Sequence, residues 1–111
     1  MSTLLLDPSL AGFEKKALEA AAMLKALSNE KRLMILCQLA DGELAVGEIQ
    51  ARLDLSQSAL SQHLARLREE GLVAFTRDAQ VLRYRIADAR IEALLATLYQ
   101  LYCTPTPSHK D

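Results

Sequence analysis

The chain has 111 residues, 50% hydrophobic and 24% charged, with a formal net charge of −1; this suits one folded core and excludes a disordered chain or a second core of ordinary size. No apolar run reaches the roughly 18 residues of a membrane span, and Met1–Pro8 lacks the basic and apolar regions of a signal peptide, so the expected location is the cytoplasm with no membrane partner. Two cysteines, four glycines and no GxGxxG or GKS/T motif argue against a disulfide framework, a cysteine-rich zinc site and a nucleotide cradle.

Residues 10–27 read as a first helix, with Phe13, Ala17, Leu18, Ala21, Leu24 and Leu27 close to a helical period and Asp7-Pro8-Ser9 as its start signal. Ser28 is expected to cap a second helix with Glu30 in its first turn; that helix runs to Ala40, and Asp41-Gly42 ends it. Val46 to Leu53 makes a short third helix, where Ala45 cannot supply a capping oxygen. After Asp54-Leu55-Ser56, a fourth helix runs from Gln57 to Glu70, capped by Ser56 and stopped by Gly71; its apolar side is Ala59, Leu60, Leu64 and Leu67. The period then changes to that of strands: residues 72–77 and 81–86 form a hairpin with its tip at Asp78-Ala79-Gln80, and Arg83 and Arg85 alternate with Leu82, Tyr84 and Ile86. Asp88 caps a last helix to about residue 103, Thr104-Pro105 stops it, and residues 104–111 form a tail. The expected fold is mainly α with a small β-hairpin, order ααααββα, one unit over residues 1–111.

The charge is unevenly spread. Residues 52–85 carry six arginines (Arg52, Arg66, Arg68, Arg77, Arg83 and Arg85) against four acids. Two short helices joined by a tight turn at residues 46–70, followed by a hairpin at 72–87 bearing arginines, make a helix-turn-helix with a wing. Gln57, Ser58, Ser61 and Gln62 are short polar side chains able to meet base edges in a major groove, and His63 also projects from that helix, as a further DNA contact, a core filler or a pH-sensitive group. Arg66, Arg77 and Arg83 are candidate phosphate contacts. Double-stranded DNA is the expected partner; no nucleophile is paired with a base and a third orienting group, so an enzyme is not expected.

The run from Leu55-Ser56-Gln57 through His63-Leu64 and Leu67-Arg68 to Gly71-Leu72-Val73, with Leu27 to Leu36 upstream, resembles the signature of ArsR/SmtB-type winged-helix repressors over about residues 20–103. The resemblance implies a homodimer, joined through the first and last helices, on an inverted-repeat operator. The terminal helices also carry more apolar surface than so small a unit can bury alone. Metal-sensing members carry a Cys-x-Cys in the third helix or Asp and His ligands on the last. Here Glu43 to Ile49 holds no thiol and Ala89 to Tyr102 no His, so neither a metal nor another cofactor is expected.

Cys37 and Cys103 remain. Free cysteines are often small buried core residues. Their contexts also resemble the sulfide- and persulfide-responsive branch (SqrR, BigR) and the HlyU-type regulators, as does Arg77 to Gln80. That resemblance implies a redox pair across the second and last helices, answering a reactive sulfur species or an oxidant. Cys37, five residues after Arg32, is the expected first attacker, because the dipole at a helix C-terminus opposes a thiolate on Cys103. The same resemblance leaves two outcomes open, a repressor or an HlyU-type anti-silencer that raises transcription.

Overall fold

The computed structural model describes residues 9–103, which form five helices and three short strands. In chain order these are α1 (Ser9–Leu27), α2 (Glu30–Leu39), β1 (Leu44–Ala45), α3 (Val46–Arg52), α4 (Gln57–Glu69), β2 (Val73–Asp78), β3 (Val81–Ile86) and α5 (Ala89–Tyr102). The Asp7-Pro8 start signal and the tail at 104–111 lie outside the described residues. No described helix is long and apolar enough to cross a membrane.

The core is aliphatic. Ile35, Leu36, Ile49, Leu60, Leu64, Leu67 and Ile91 are its fully buried side chains, drawn from α2, α3, α4 and α5. The expected apolar side of α4 is thus its buried side, and α2 runs through the middle. Tyr84 is the largest buried residue of the sheet, 6% exposed.

Local signals set the ends of the elements. Ser56 Oγ accepts the Ala59 amide at 3.1 Å and starts α4. Gly71, at φ +78°, stops it: the Leu72 amide donates to the Leu67 carbonyl and the Gly71 amide to Arg68, at 3.0 and 2.9 Å. That double closure needs a left-handed residue, which glycine adopts without a steric penalty. Asp88 caps α5 through the Arg90 amide at 2.9 Å. Two expectations need correction. Asn29, not Ser28, caps α2, its Oδ1 accepting the Arg32 amide at 3.0 Å; Ser28 Oγ instead donates to the Lys25 carbonyl and closes α1. The sheet has three strands in the order β1-β3-β2, because Leu44 and Ala45 pair antiparallel with Tyr84 and Arg83. This pairing, with Glu48 Oε1 accepting the Ala45 amide at 2.8 Å, anchors the start of α3 in place of the missing side-chain cap.

α1 meets the core only through its last turns, Met23, Ala26 and Leu27. The rest of its apolar stripe faces outward, with Phe13, Leu18 and Leu24 exposed, and on α5 so do Tyr99, Leu101 and Tyr102. The described chain is thin and spread, 53 × 43 × 20 Å, with a radius of gyration of 16.8 Å; a compact chain of this size would have roughly 12–13 Å.

Candidate functional site

α3 and α4 are joined by the turn at residues 53–56, and β2 and β3 follow α4 directly. At about 100° per residue, Gln57, Ser61, Ser58 and Gln62 cover an arc of roughly 140° on α4, separate from the arc of about 60° that holds Leu60, Leu64 and Leu67. All four polar residues are exposed. The helix therefore presents one continuous hydrogen-bonding face while its other side fills the core.

The remaining candidates divide. Arg66 is exposed beside that face and pairs with Glu70 at 3.5 Å. Arg83 pairs with Asp78 at 3.9 Å. Exposed pairs of this kind are worth roughly 0.2–1 kcal/mol, so either guanidinium can turn to a phosphate at little cost. Arg77 is exposed and makes no ion pair among the described residues. It does not share a face with Arg83, however. The register pairs Arg77 with Leu82 and Thr76 with Arg83, which puts the two arginines on opposite faces of the hairpin. His63 is half-buried at the edge of the core side of α4, and its pKa is lowered by burial and then by the Arg32 charge. It faces α2 rather than continuing the exposed polar arc.

Two basic residues absent from the expected contact set belong to this surface. Arg85 shares the Arg83 face and donates to Thr76 Oγ1 at 3.0 Å; the strand alternation already pairs it with Arg83. The Arg68 guanidinium lies 5.0 Å from the centre of the Phe75 ring, which packs 5.4 Å from Tyr84. This stack joins the last turn of α4 to β2 and β3, and no sequence period announces it.

Cys37 lies on α2 and Cys103 is the residue closing α5, its amide donating to the Tyr99 carbonyl at 2.8 Å. Both thiols are free and both residues are exposed, so neither fills the core of the chain. Burial raises the Cys37 pKa, and the charge of Cys103 raises it further. The Arg32 charge expected to favour a thiolate at Cys37 is not among the groups acting on it. Arg32 does not serve it: the Arg32 Nε donates to the Ala26 carbonyl at 2.7 Å, and the groups acting on Cys37 all disfavour the thiolate. Beside Cys37 an open groove of about 880 Å³ runs between the end of α2 and α5. Among the described residues no group of three His, Cys, Asp or Glu could hold a metal ion.

Comparison with known proteins agrees with this arrangement. The family described as "Bacterial regulatory protein, arsR family" matches residues 29–74, from the cap of α2 into β2. The chain is 50% identical over 95 residues to the transcriptional activator HlyU of Vibrio cholerae, covering 86% of this chain and 88% of that one. The reduced form of that protein has a TM-score of 0.79, covering 84% and 98% of the two chains at 49% identity. The biofilm growth-associated repressor of Agrobacterium fabrum is 45% identical over 96 residues, 86% of this chain and 82% of its own. The transcriptional repressor BigR from Xylella fastidiosa gives a TM-score of 0.81 at 39% identity, covering 86% and 97%. The chain belongs to the ArsR family of bacterial regulatory proteins and is a DNA-binding transcriptional regulator of the HlyU and BigR kind.

Proposed function

We propose that the protein is a homodimeric repressor whose grip on operator DNA is released when Cys37 and Cys103 become bridged. The observation that carries this reading is the pair itself: two free, exposed thiols, Cys37 lining the groove between α2 and α5 and Cys103 closing α5. The outward Phe13, Leu18 and Leu24 of α1 and Leu101 and Tyr102 of α5 support the dimer. Two-fold symmetry then sets the recognition helices about 34–36 Å apart, one turn of DNA, on an inverted repeat. Gln57, Ser58, Ser61 and Gln62 read base edges, while Arg66 and Arg83 hold phosphates, with Arg77 reaching past the hairpin tip.

The inducer is a low-molecular-weight persulfide, RSSH. One cysteine thiolate attacks the outer sulfur of RSSH, forming a protein persulfide and releasing RSH. The second thiolate displaces hydrosulfide from that persulfide and closes a disulfide. Overall, two thiols and one RSSH give a disulfide, RSH and H2S. A second RSSH, consumed before closure, leaves a trisulfide with another RSH. A disulfide requires Cα atoms about 4.4–6.8 Å apart, and the extra sulfur relaxes that limit. A hundredfold loss of operator affinity corresponds to about 2.7 kcal/mol, within reach of one covalent tether acting on two packings of α5.

Fluorescence anisotropy on DNA from the protein's own upstream region tests the reading. Tight binding by the reduced protein should be lost after persulfide treatment and restored by dithiothreitol. Cys37→Ser and Cys103→Ser should each bind DNA normally and ignore the persulfide. Release that persists in both single variants refutes the switch. A second outcome has its own support, because the Vibrio cholerae relative is named an activator. The same DNA-binding unit raises transcription if its site overlaps that of a silencing protein, and an in vitro transcription assay without other proteins separates the two.

A further inference from the structure

The groove between α2 and α5 is lined by Cys37 and by two carboxylates, Asp41 from the end of α2 and Glu92 from the first turn of α5. No Lys, Arg or His lines it. Its apolar wall is Leu95 with neighbouring alanines, and Tyr99 and Gln100 complete it toward the Cys103 end of α5. We infer that this groove is the docking site for the sulfur donor and that it selects small neutral or cationic donors of the aminothiol class against anionic ones. The inference rests on the dithiol reading above and adds the chemistry of the incoming molecule.

The reasoning is electrostatic and steric. A groove of about 880 Å³ accepts a donor of a few heavy atoms lying along Leu95 and Tyr99, with its sulfur at Cys37. An ammonium group two carbons from the sulfur then shares the groove with Asp41 and Glu92. A carboxylate in the same position meets two like charges and no compensating cation. For an assumed separation on the order of 8 Å across solvent, two carboxylates separate a cationic from an anionic donor by about tenfold in rate at low salt. A neutral donor lies between them.

Symmetrical disulfides of different charge are suitable probes, because each reacts by one balanced exchange: the Cys37 thiolate attacks one sulfur of RSSR, a mixed disulfide forms, and RS⁻ leaves and takes a proton from solvent. The Cys103→Ser variant isolates Cys37. Rates of mixed-disulfide formation are measured by intact mass with cystamine, hydroxyethyl disulfide and dithiodipropionate, each divided by its rate with mercaptoethanol. The expected order is cation, neutral, anion, spanning about tenfold at about 20 mM salt and less than about twofold at about 0.5 M. Asp41→Asn with Glu92→Gln should remove the order at low salt; both side chains are exposed, and circular dichroism checks the fold. Equal normalised rates in the parent, or an order that survives the double substitution, overturns the inference. Operator release is measured separately on the two-thiol protein. Selective modification without release would refute the switch and leave the groove's preference standing, and unselective modification with release would do the reverse.

Discussion

Removing the Arg68 guanidinium should loosen the hinge between the recognition helix and the wing. Arg68 lies 5.0 Å above Phe75, and Phe75 packs on the buried Tyr84, which pairs in turn with Leu44 of β1. An exposed cation–π contact is worth about 0.5–1 kcal/mol. Arg68→Ala should therefore lower stability by that amount, a Tm shift of roughly 2–8 °C for a unit of this size. Operator affinity falls by at most the same free energy, about two- to fivefold, because the wing must be re-ordered on DNA. Arg68 also falls on the azimuth of Gln57 and Ser61 on α4, so a direct phosphate contact is the rival role. The salt dependence separates them. A phosphate contact contributes about 0.9 to the slope of log K against log salt, whereas a residue that only positions the wing leaves the slope unchanged. Arg68→Met keeps a polarizable side chain on the ring and should retain most of the affinity. A slope lower by about one in both variants, with Met as damaging as Ala, refutes the reasoning.

Three further outcomes follow from single residues. Ala79 sits at φ +60° in the hairpin turn, where a Cβ costs roughly 1–2 kcal/mol; Ala79→Gly should raise Tm despite the greater freedom of glycine when unfolded, and a lower Tm refutes the strain. His63 has a pKa below its ordinary 6.5, through burial and then Arg32, so the unfolded chain takes up the proton first. Stability should fall as pH drops through about 6.5 and stop falling below the folded pKa; His63→Gln should flatten that part of a Tm-against-pH profile, and an unaltered profile shows another group is responsible. Leu18, 84% exposed on α1, is placed at the proposed dimer face; Leu18→Glu should yield monomers by sedimentation velocity with weakened operator binding, and a persisting dimer moves the interface elsewhere.

The helical skeleton was legible because its signals are local. Leu60, Leu64 and Leu67 repeat with the helix and are buried, and Gly71 stops α4 with the hydrogen bonds a left-handed residue permits. What failed to show depends on distant partners or on a single residue of register. β1 is two residues long, too short for any period, and exists because β3 has a free edge beside it. Ser28 and Asn29 are both capping residues; where α1 ends decides which of them starts α2. A hairpin tip at Asp78-Ala79-Gln80 would put Arg77 and Arg83 on one face. The observed pairing of Asp78 with Val81 leaves a two-residue turn, and that one-residue difference sends them to opposite faces. The stripe on α1 was correctly periodic, but a period identifies an apolar face without saying what covers it. The exposure of both cysteines was illegible for a related reason: in a helix apolar on several sides, the burial of one position depends on which neighbours pack there.

The placement of the thiols bears on how a bridge between them could reach the DNA. α5 has 14 residues and is about 21 Å long. Its start is pinned on several sides: Asp88 follows β3 by two residues, the Ala87 amide donates to the Leu72 carbonyl at 2.9 Å, and Arg90 bonds both Asp88 and Glu19 of α1. Its buried residues, Ile91 and Leu95, lie in the first two turns. Beyond half-buried Leu98, the helix from Tyr99 to Tyr102 is exposed, and Cys103 ends it. Under the proposed switch, the tether therefore acts on the end of α5 with the fewest core contacts to lose. Drawing that end toward Cys37 cannot stretch a hydrogen-bonded helix, so it tilts the rod about Ile91 and Leu95. The pinned end then turns against the base of β3, the central strand of the wing. Because α1 is tied to the same end through Glu19, the tilt also changes the face proposed to meet the second subunit. Under the proposed switch, a small movement at the thiols would alter both the wing angle within one subunit and the separation of two recognition helices, which the operator holds to one turn of DNA.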